Sequence, residues 1–248
     1  MKNKYQHATN KENYEDYSSG RVLYGATGAT NFPVRLSSEI FQQCANYLKS
    51  RGKSGPYKIY DPFCGVAYSL TVIGLLHSTE IKSIIASDSD SRILEFAEKN
   101  LSLLSTNGLN KRIKELTKFV LEYNKTSHKY ALASALRLQS KVELSNQITV
   151  KCFKFNSISN KDFPQSLSGI DMIITDLPYG KLTHWEGSIT DKNFTQRFLD
   201  NIKSKLNTTS VIAIVSNKKQ PILYQGYKII KTFTIIKRRI TILEPLNN

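Results

Sequence analysis

The sequence predicts an α/β fold built on a doubly wound, mostly parallel sheet of seven strands with an antiparallel C-terminal strand. Three observations predict it. Short β-rich apolar runs alternate with segments of helical periodicity through most of the chain. Three of those runs end in acids, Asp61, then Asp88 with Asp90, then Asp176, and in open α/β sheets ligands bind beyond the carboxyl ends of parallel strands. Finally, residues 227–243 are β-rich with no helix between, which reads as a closing antiparallel pair.

The 248 residues suit one domain, 1–248, with an N-terminal arm over 1–36 and a helical insertion over 107–145. Residues 1–20 are polar, mixed in charge and interspersed with Tyr5, Tyr14 and Tyr17; they read as a flexible or solvated arm. Ser37 or Ser38 caps the first helix, whose face carries Ile40, Phe41, Cys44, Ala45 and Leu48. Arg35, just before that start, is a candidate partner for a ligand carboxylate, with an ordinary ion pair as the alternative.

Residues 57–60 form a short strand into Asp61, and DPFCGVAYS, with Cys64 and Gly65, is a tight strand-to-helix turn. The helix after it is apolar almost all round and belongs against the sheet. Residues 81–86 make the second strand, Asp88 and Asp90 follow, and Asp90 or Ser91 caps a helix with Ile93, Phe96, Ala97, Leu101 and Leu104 on one face. Two further helices then delay the third strand. Between Leu109 and Glu143, Lys and Arg outnumber acids 8 to 3, so the pair reads as added substrate surface or as a solvated face. Residues 147–155 form the third strand with Asn156 at its tip, 170–175 the fourth, and 210–215 the fifth. Asp191 caps the helix between the last two.

The fourth strand leads into DLPYGKLTHWEG. Pro178 fixes its own φ and holds Leu177 extended, which aims the Leu177 carbonyl. Asp176 and that carbonyl are two acceptors beside the flat ring of Tyr179, the set an exocyclic amino group of a nucleobase needs. Asp, Pro and Gly also make ordinary turns. Gly180, His184, Trp185 and Glu186 follow within reach of the same mouth and read as base-pocket residues or as a surface loop.

Composition narrows the partners. Lys and Arg number 35 against 20 acids, a formal charge of +15, so a polyanion is the leading partner. No apolar run approaches a bilayer span and the N-terminus lacks a secretory signal, so the expectation is cytoplasmic, with no membrane partner. Three cysteines, Cys44, Cys64 and Cys152, lack metal spacing and argue for reduced thiols and no metal. G-x-G-x-x-G is absent, and Asp61 at the start of its turn suits an amino-acid ammonium better than a pyrophosphate. Gly65 permits close backbone approach, and Asp88 and Asp90 offer acceptors for ribose hydroxyls. S-adenosyl-L-methionine fits all of these.

The motifs NFPVRLSSEIF, YDPFCGVAYSLTVIGLL, ASDSD and TDLPYGKLTHWEG resemble the class I, Rossmann-like S-adenosylmethionine-dependent methyltransferases that act on exocyclic amines. More narrowly they resemble the avilamycin-resistance ribosomal RNA methyltransferases, read as guanine-N2 methylases of large-subunit RNA. The resemblance implies that Asp61 and Gly65 hold the methionine end, with Cys64 in the same turn, Asp88 the ribose ahead of Asp90, and Asn156 the adenine. It further implies catalysis by Asp176, Leu177, Pro178 and Tyr179, large-subunit ribosomal RNA as partner, and a role in orthosomycin resistance. Ala67 departs from the family's Gly-Ser-Gly pattern, so a weakened cofactor site is expected. The rival readings are adenine-N6 methylation of DNA, and a non-catalytic RNA-binding factor that retains the fold.

Overall fold

A computed structural model describes residues 5–10, 12–27, 32–145, 147–177, 194–220 and 222–246. In chain order its elements are α1 (Val34–Ser50), β1 (Tyr57–Asp61), α2 (Tyr68–Leu76), β2 (Ile81–Asp88), α3 (Ser91–Ser102), α4 (Thr106–Tyr123), α5 (Thr126–Arg137), α6 (Gln139–Ser145), β3 (Thr149–Lys154), β4 (Ile170–Asp176), α7 (Phe194–Ile202), β5 (Leu206–Asn217), β6 (Tyr227–Ile235) and β7 (Arg238–Pro245). The sheet order is β3-β2-β1-β4-β5-β7-β6. β3, β2, β1, β4 and β5 pair in parallel, while β7 runs antiparallel to both β5 and β6. Six strands therefore point one way and β7 the other, as the sequence predicts. Among the described residues no helix is long and apolar enough to cross a membrane.

Alternation along the central strands divides them between two cores. Ile59, Ile84, Ala86, Met172, Ile174, Val211, Ala213 and Val215 face α1, α2 and α3. Tyr60, Ile85, Ile173, Ile212 and Ile214 face α7 through Phe198, Leu199 and Ile202. Apolar residues at consecutive positions are what a strand covered on both sides requires. The pleat also fixes which acids share a face at the carboxyl edge. Ile59 pairs with Met172, and Asp61 with Ala86, so Asp61, Asp88 and Asp176 fall on the α1–α3 side.

Two local expectations change. Helix α1 begins at Val34, after Pro33 and ahead of Ser37 and Ser38. The Pro33 carbonyl accepts the amides of Leu36 and Ser37 at 2.9 and 3.0 Å, and Ser37 and Ser38 bond instead to Ser69 and His77 from inside the helix. Nor is the described part of the N-terminal arm wholly solvated, since Ala8, Tyr17, Val22 and Leu23 are buried. Glu39, fully buried in α1, accepts the backbone amides of Gln6, His7 and Ala8 at 2.8–2.9 Å. Burial raises the Glu39 carboxyl, but these donors outweigh it and leave it below its ordinary range.

That depressed value makes the clamp present above the carboxylate range and lost as pH falls through it. Glu39→Ala is expected to cost roughly 3 kcal/mol, because three amides lose their acceptor. A urea titration measures the loss, and hydrogen exchange at residues 6–8 shows whether it arises by undocking the segment.

The insertion has a structural duty that charge counting did not show. Arg112 of α4, only 7% exposed, donates to the carbonyls of Val22 and Arg21 at 2.9 and 3.0 Å, and its guanidinium lies 4.1 Å from the centre of the Tyr24 ring. Arg137 pairs with Asp16 at 2.6 Å. Asn100 of α3 then bonds both the amide and the carbonyl of Tyr24 and also the Val66 carbonyl. Insertion, N-terminal segment and the β1–α2 turn are thus one connected network.

Candidate active site

The β1–α2 turn is bent by two residues in the left-handed region, Gly65 (φ +52°) and Ala67 (φ 53°, ψ 28°). A Cβ built on Gly65 would meet nothing within 4 Å, so that side of the turn is open for a ligand to approach. Two amides tie the turn to the tip of β2: Cys64 donates to the Ser87 carbonyl at 3.0 Å, and Gly65 to Asp88 Oδ2 at 3.0 Å. A glycine in the family pattern suits the conformation at Ala67, and alanine is the smallest side chain that can replace it. Ala67→Val is expected to cost about 2 kcal/mol or more, since a β-branched residue is forced left-handed. Ala67→Gly should fall within about 1 kcal/mol of the parent, strain relief offsetting the lost Cβ and added chain entropy. Urea titrations of the two variants check both signs.

Asp61 is buried, and its Oδ1 accepts from Thr175 Oγ1 at 2.6 Å and the Phe63 amide at 3.0 Å. Burial pushes its carboxyl up to about 7, and Asp88 and Asp176 add to the rise. Asp88 accepts the amides of Gly65 and Asp90 and is likewise raised by burial. At the tip of β4, burial lifts Asp176 to about 7 against the pull of Arg238, and among the described residues its buried Oδ1 has no hydrogen-bond partner. Three acids that each resist ionisation thus lie along one edge of the sheet, and a cation bound beside Asp61 would favour its ionised form.

The other sequence candidates are placed as follows. Asp90 caps α3 by accepting the Arg92 amide at 2.9 Å, and both its oxygens take donors from the Arg92 guanidinium. Arg35 donates to the carbonyls of Ala8 and Thr9 at 2.8 Å and lies 3.9 Å from the centre of the Tyr5 ring, so its fork is engaged by the N-terminal segment. Asn156 Oδ1 accepts the amides of Ile158 and Ser159, both at 3.1 Å, an Asx turn that leaves the amide nitrogen to donate elsewhere. The buried Cys64 thiol donates to the Gly65 carbonyl at 3.5 Å, and the neighbouring Cys152 thiol together with burial holds it well above the ordinary thiol range. Leu177 is fully buried, its amide donating to the Val215 carbonyl at 2.9 Å. Pro178, Tyr179, Gly180, His184, Trp185, Glu186 and Asp191 lie outside the described residues.

A family model described as rRNA methyltransferase AviRa matches residues 3–238. The chain belongs to the AviRa rRNA methyltransferase family. A Streptomyces viridochromogenes protein named 23S rRNA (guanine(2535)-N(1))-methyltransferase is 35% identical over 222 residues, 87% of this chain and 86% of its own. Two solved structures of the rRNA methyltransferase aviRa from the same organism superpose with TM-scores of 0.84 and 0.86 at 33% identity, each covering 97% of this chain and 96% of the other. The AviRa family uses S-adenosylmethionine, and so does this chain. The strand-tip acids fit it: the molecule carries a sulfonium and an ammonium, and the site holds buried carboxyls short of cations. Sequence reasoning missed Thr175, Asn100 and Arg238 at this site; the long-range contacts that bring them there leave no local signal.

Proposed function

We propose that this chain transfers a methyl group from S-adenosylmethionine to a guanine of large-subunit ribosomal RNA, in the cytoplasm, with N1 of the base as acceptor. The carrying observation is Asp176, a carboxyl at the tip of β4 with a buried oxygen that has no partner among the described residues and a pKa lifted to about 7. The sequence reading placed the methyl on N2. Guanine presents N1–H and an N2–H side by side, so one carboxylate can accept from both. The name of the Streptomyces relative specifies N1, and a base near pH 7 suits N1, which must surrender its only proton.

Asp61 and Gly65 would hold the methionine end of the cofactor, Asp88 the ribose and the Asn156 amide the adenine. When bound, S-adenosylmethionine supplies an electrophilic methyl on a sulfonium. Asp176, with the Leu177 carbonyl, fixes the guanine edge, and Asp176 takes the N1 proton. Tyr179 would stack on the base and, with Pro178, Gly180, His184, Trp185 and Glu186, shape its pocket. Positioning and electrostatics carry most of the acceleration. The exposed tip of the insertion, with Phe119, Tyr123 and His128 in mutual ring contact and Lys125 over Tyr123, has the basic, aromatic character that RNA favours.

The test is transfer of tritiated methyl from the cofactor to unmodified 23S rRNA, with duplex DNA and small-subunit RNA as controls, followed by nucleoside chromatography. Label in N1-methylguanosine supports the whole reading, and label in N2-methylguanosine returns the acceptor to the exocyclic amine. Label in DNA adenine, or none in any substrate, overturns it. Orthosomycin susceptibility of a sensitive host expressing the chain tests the resistance role.

A further inference from the structure

We propose that Arg238 is a catalytic residue that donates to O6 of the target guanine and takes up the negative charge appearing there as N1 gives its proton to Asp176. This rests on the reading of guanine N1 as the acceptor.

The placement follows from register. Asp176 of β4 pairs with Val215 of β5, and two residues further on Asn217 pairs with Arg238 of β7. A two-residue pleat puts Asp176, Asn217 and Arg238 on the same face at the carboxyl edge of the sheet. The Arg238 guanidinium lies 5.2 Å from the centre of the buried Phe32 ring, on the α1–α3 side. Its neighbour Arg239 falls on the opposite face and donates to the Gln220 carbonyl.

Arg238 is also short of partners. Among the described residues its buried Nε has no hydrogen-bond partner, a costly state for a guanidinium N–H. Among the described residues it makes no ion pair, although its field reaches Asp176 and draws that carboxyl down. Among the described residues Arg238 from β7 is the charged group whose field acts on Asp176, and Asp176 in turn raises Asp61 of β1. A donor fork and an acceptor carboxyl on one face of the sheet edge, with no hydrogen bond between them among the described residues, can both be answered by a single group. Guanine does so: N1–H and N2–H meet the carboxylate, and the adjacent O6 meets the arginine, a pairing arginine favours with guanine. Adenine offers an amino group where O6 stands, so the same pair would reject it.

The chemistry balances. The N1–H bond breaks and its proton goes to Asp176. The electron pair left on the ring, shared with O6, forms the N1–methyl bond as the sulfonium–methyl bond breaks with its pair to sulfur. Arg238 opposes the charge on O6 while the ring is anionic, the role of an oxyanion-hole donor.

The experiment is single-turnover methyl transfer to 23S rRNA between pH 6.5 and 9.5 for the parent, Arg238→Gln and Arg238→Lys, with cofactor affinity and thermal unfolding measured on each. The parent should level off above neutral pH. Arg238→Gln should be slower by roughly 10²–10³-fold near neutrality, as for loss of one oxyanion donor, and keep accelerating toward pH 9.5 as the base loses its proton unaided. Arg238→Lys, which keeps the charge without the fork, should fall between and controls for folding. A rate within three-fold of the parent, or a loss constant across the pH range in both variants, overturns the proposal. If the parent's own product is not N1-methylguanosine, the underlying reading fails and the proposal with it; if that product is correct and the profiles run parallel, the role of Arg238 alone is wrong.

Discussion

Replacing Asp176 by Asn is expected to lower methyl transfer by roughly 10³-fold while leaving cofactor affinity nearly unchanged. Asparagine keeps the size of the side chain and can still accept a hydrogen bond through its carbonyl, but it cannot take a proton at neutral pH. Single-turnover rates on 23S rRNA measure the first effect and calorimetric titration with S-adenosylmethionine the second. The same variant should be more stable. A carboxyl whose folded pKa is about 7 binds its proton more tightly when folded, so its stabilising share is full below the unfolded value and is lost as pH rises toward 7. Asp176→Asn removes that loss and should gain about 2 kcal/mol at pH 8 in the cofactor-free protein. A variant that loses activity and gains stability marks a site kept for chemistry at a structural cost.

The second large effect concerns Asp61. In the free protein its carboxyl lies at about 7, and the cationic methionine end favours the ionised form. Cofactor affinity should therefore weaken as pH falls below 7, approaching tenfold per pH unit, with proton release on binding. Asp61→Asn should weaken binding by roughly 30-fold or more at pH 8 and flatten this dependence, because no charge remains to titrate there. Asp176→Asn should retain the slope, which separates the two carboxyls that titrate in the same range. Titrations from pH 6 to 8.5 decide the matter. An Asp61→Asn variant that binds as tightly as the parent would move the methionine end elsewhere.

What the sequence made legible was local. The turn at Gly65 and the acids at Asp61, Asp88 and Asp176 were visible because each ends an apolar run and precedes helical periodicity, and the order of those runs led to the sheet. The N-terminus of α1 was misplaced because Ser37 and Ser38 have the chemistry of caps, whereas Pro33 acts through a backbone carbonyl that no side chain announces. The arm looked solvated because its polar residues are held by backbone amides on Glu39, a buried acid that reads as an ordinary helix residue. Arg112 looked like part of a basic surface, and its burial depends on carbonyls about ninety residues away. Arg238 was visible only as one basic residue in a β-rich tail. Its place beside Asp176 depends on β7 returning between β5 and β6, a pairing that local patterning does not encode.

The most direct test of the central claim is nucleoside mass spectrometry of 23S rRNA from a bacterial host that lacks the modification, expressing either the parent chain or Asp176→Asn. One new N1-methylguanosine with the parent and none with Asp176→Asn, at equal protein levels, is the predicted result. The same N1-methylguanosine with both chains would contradict the role given to Asp176, and no methylated guanine with the parent would contradict the function itself.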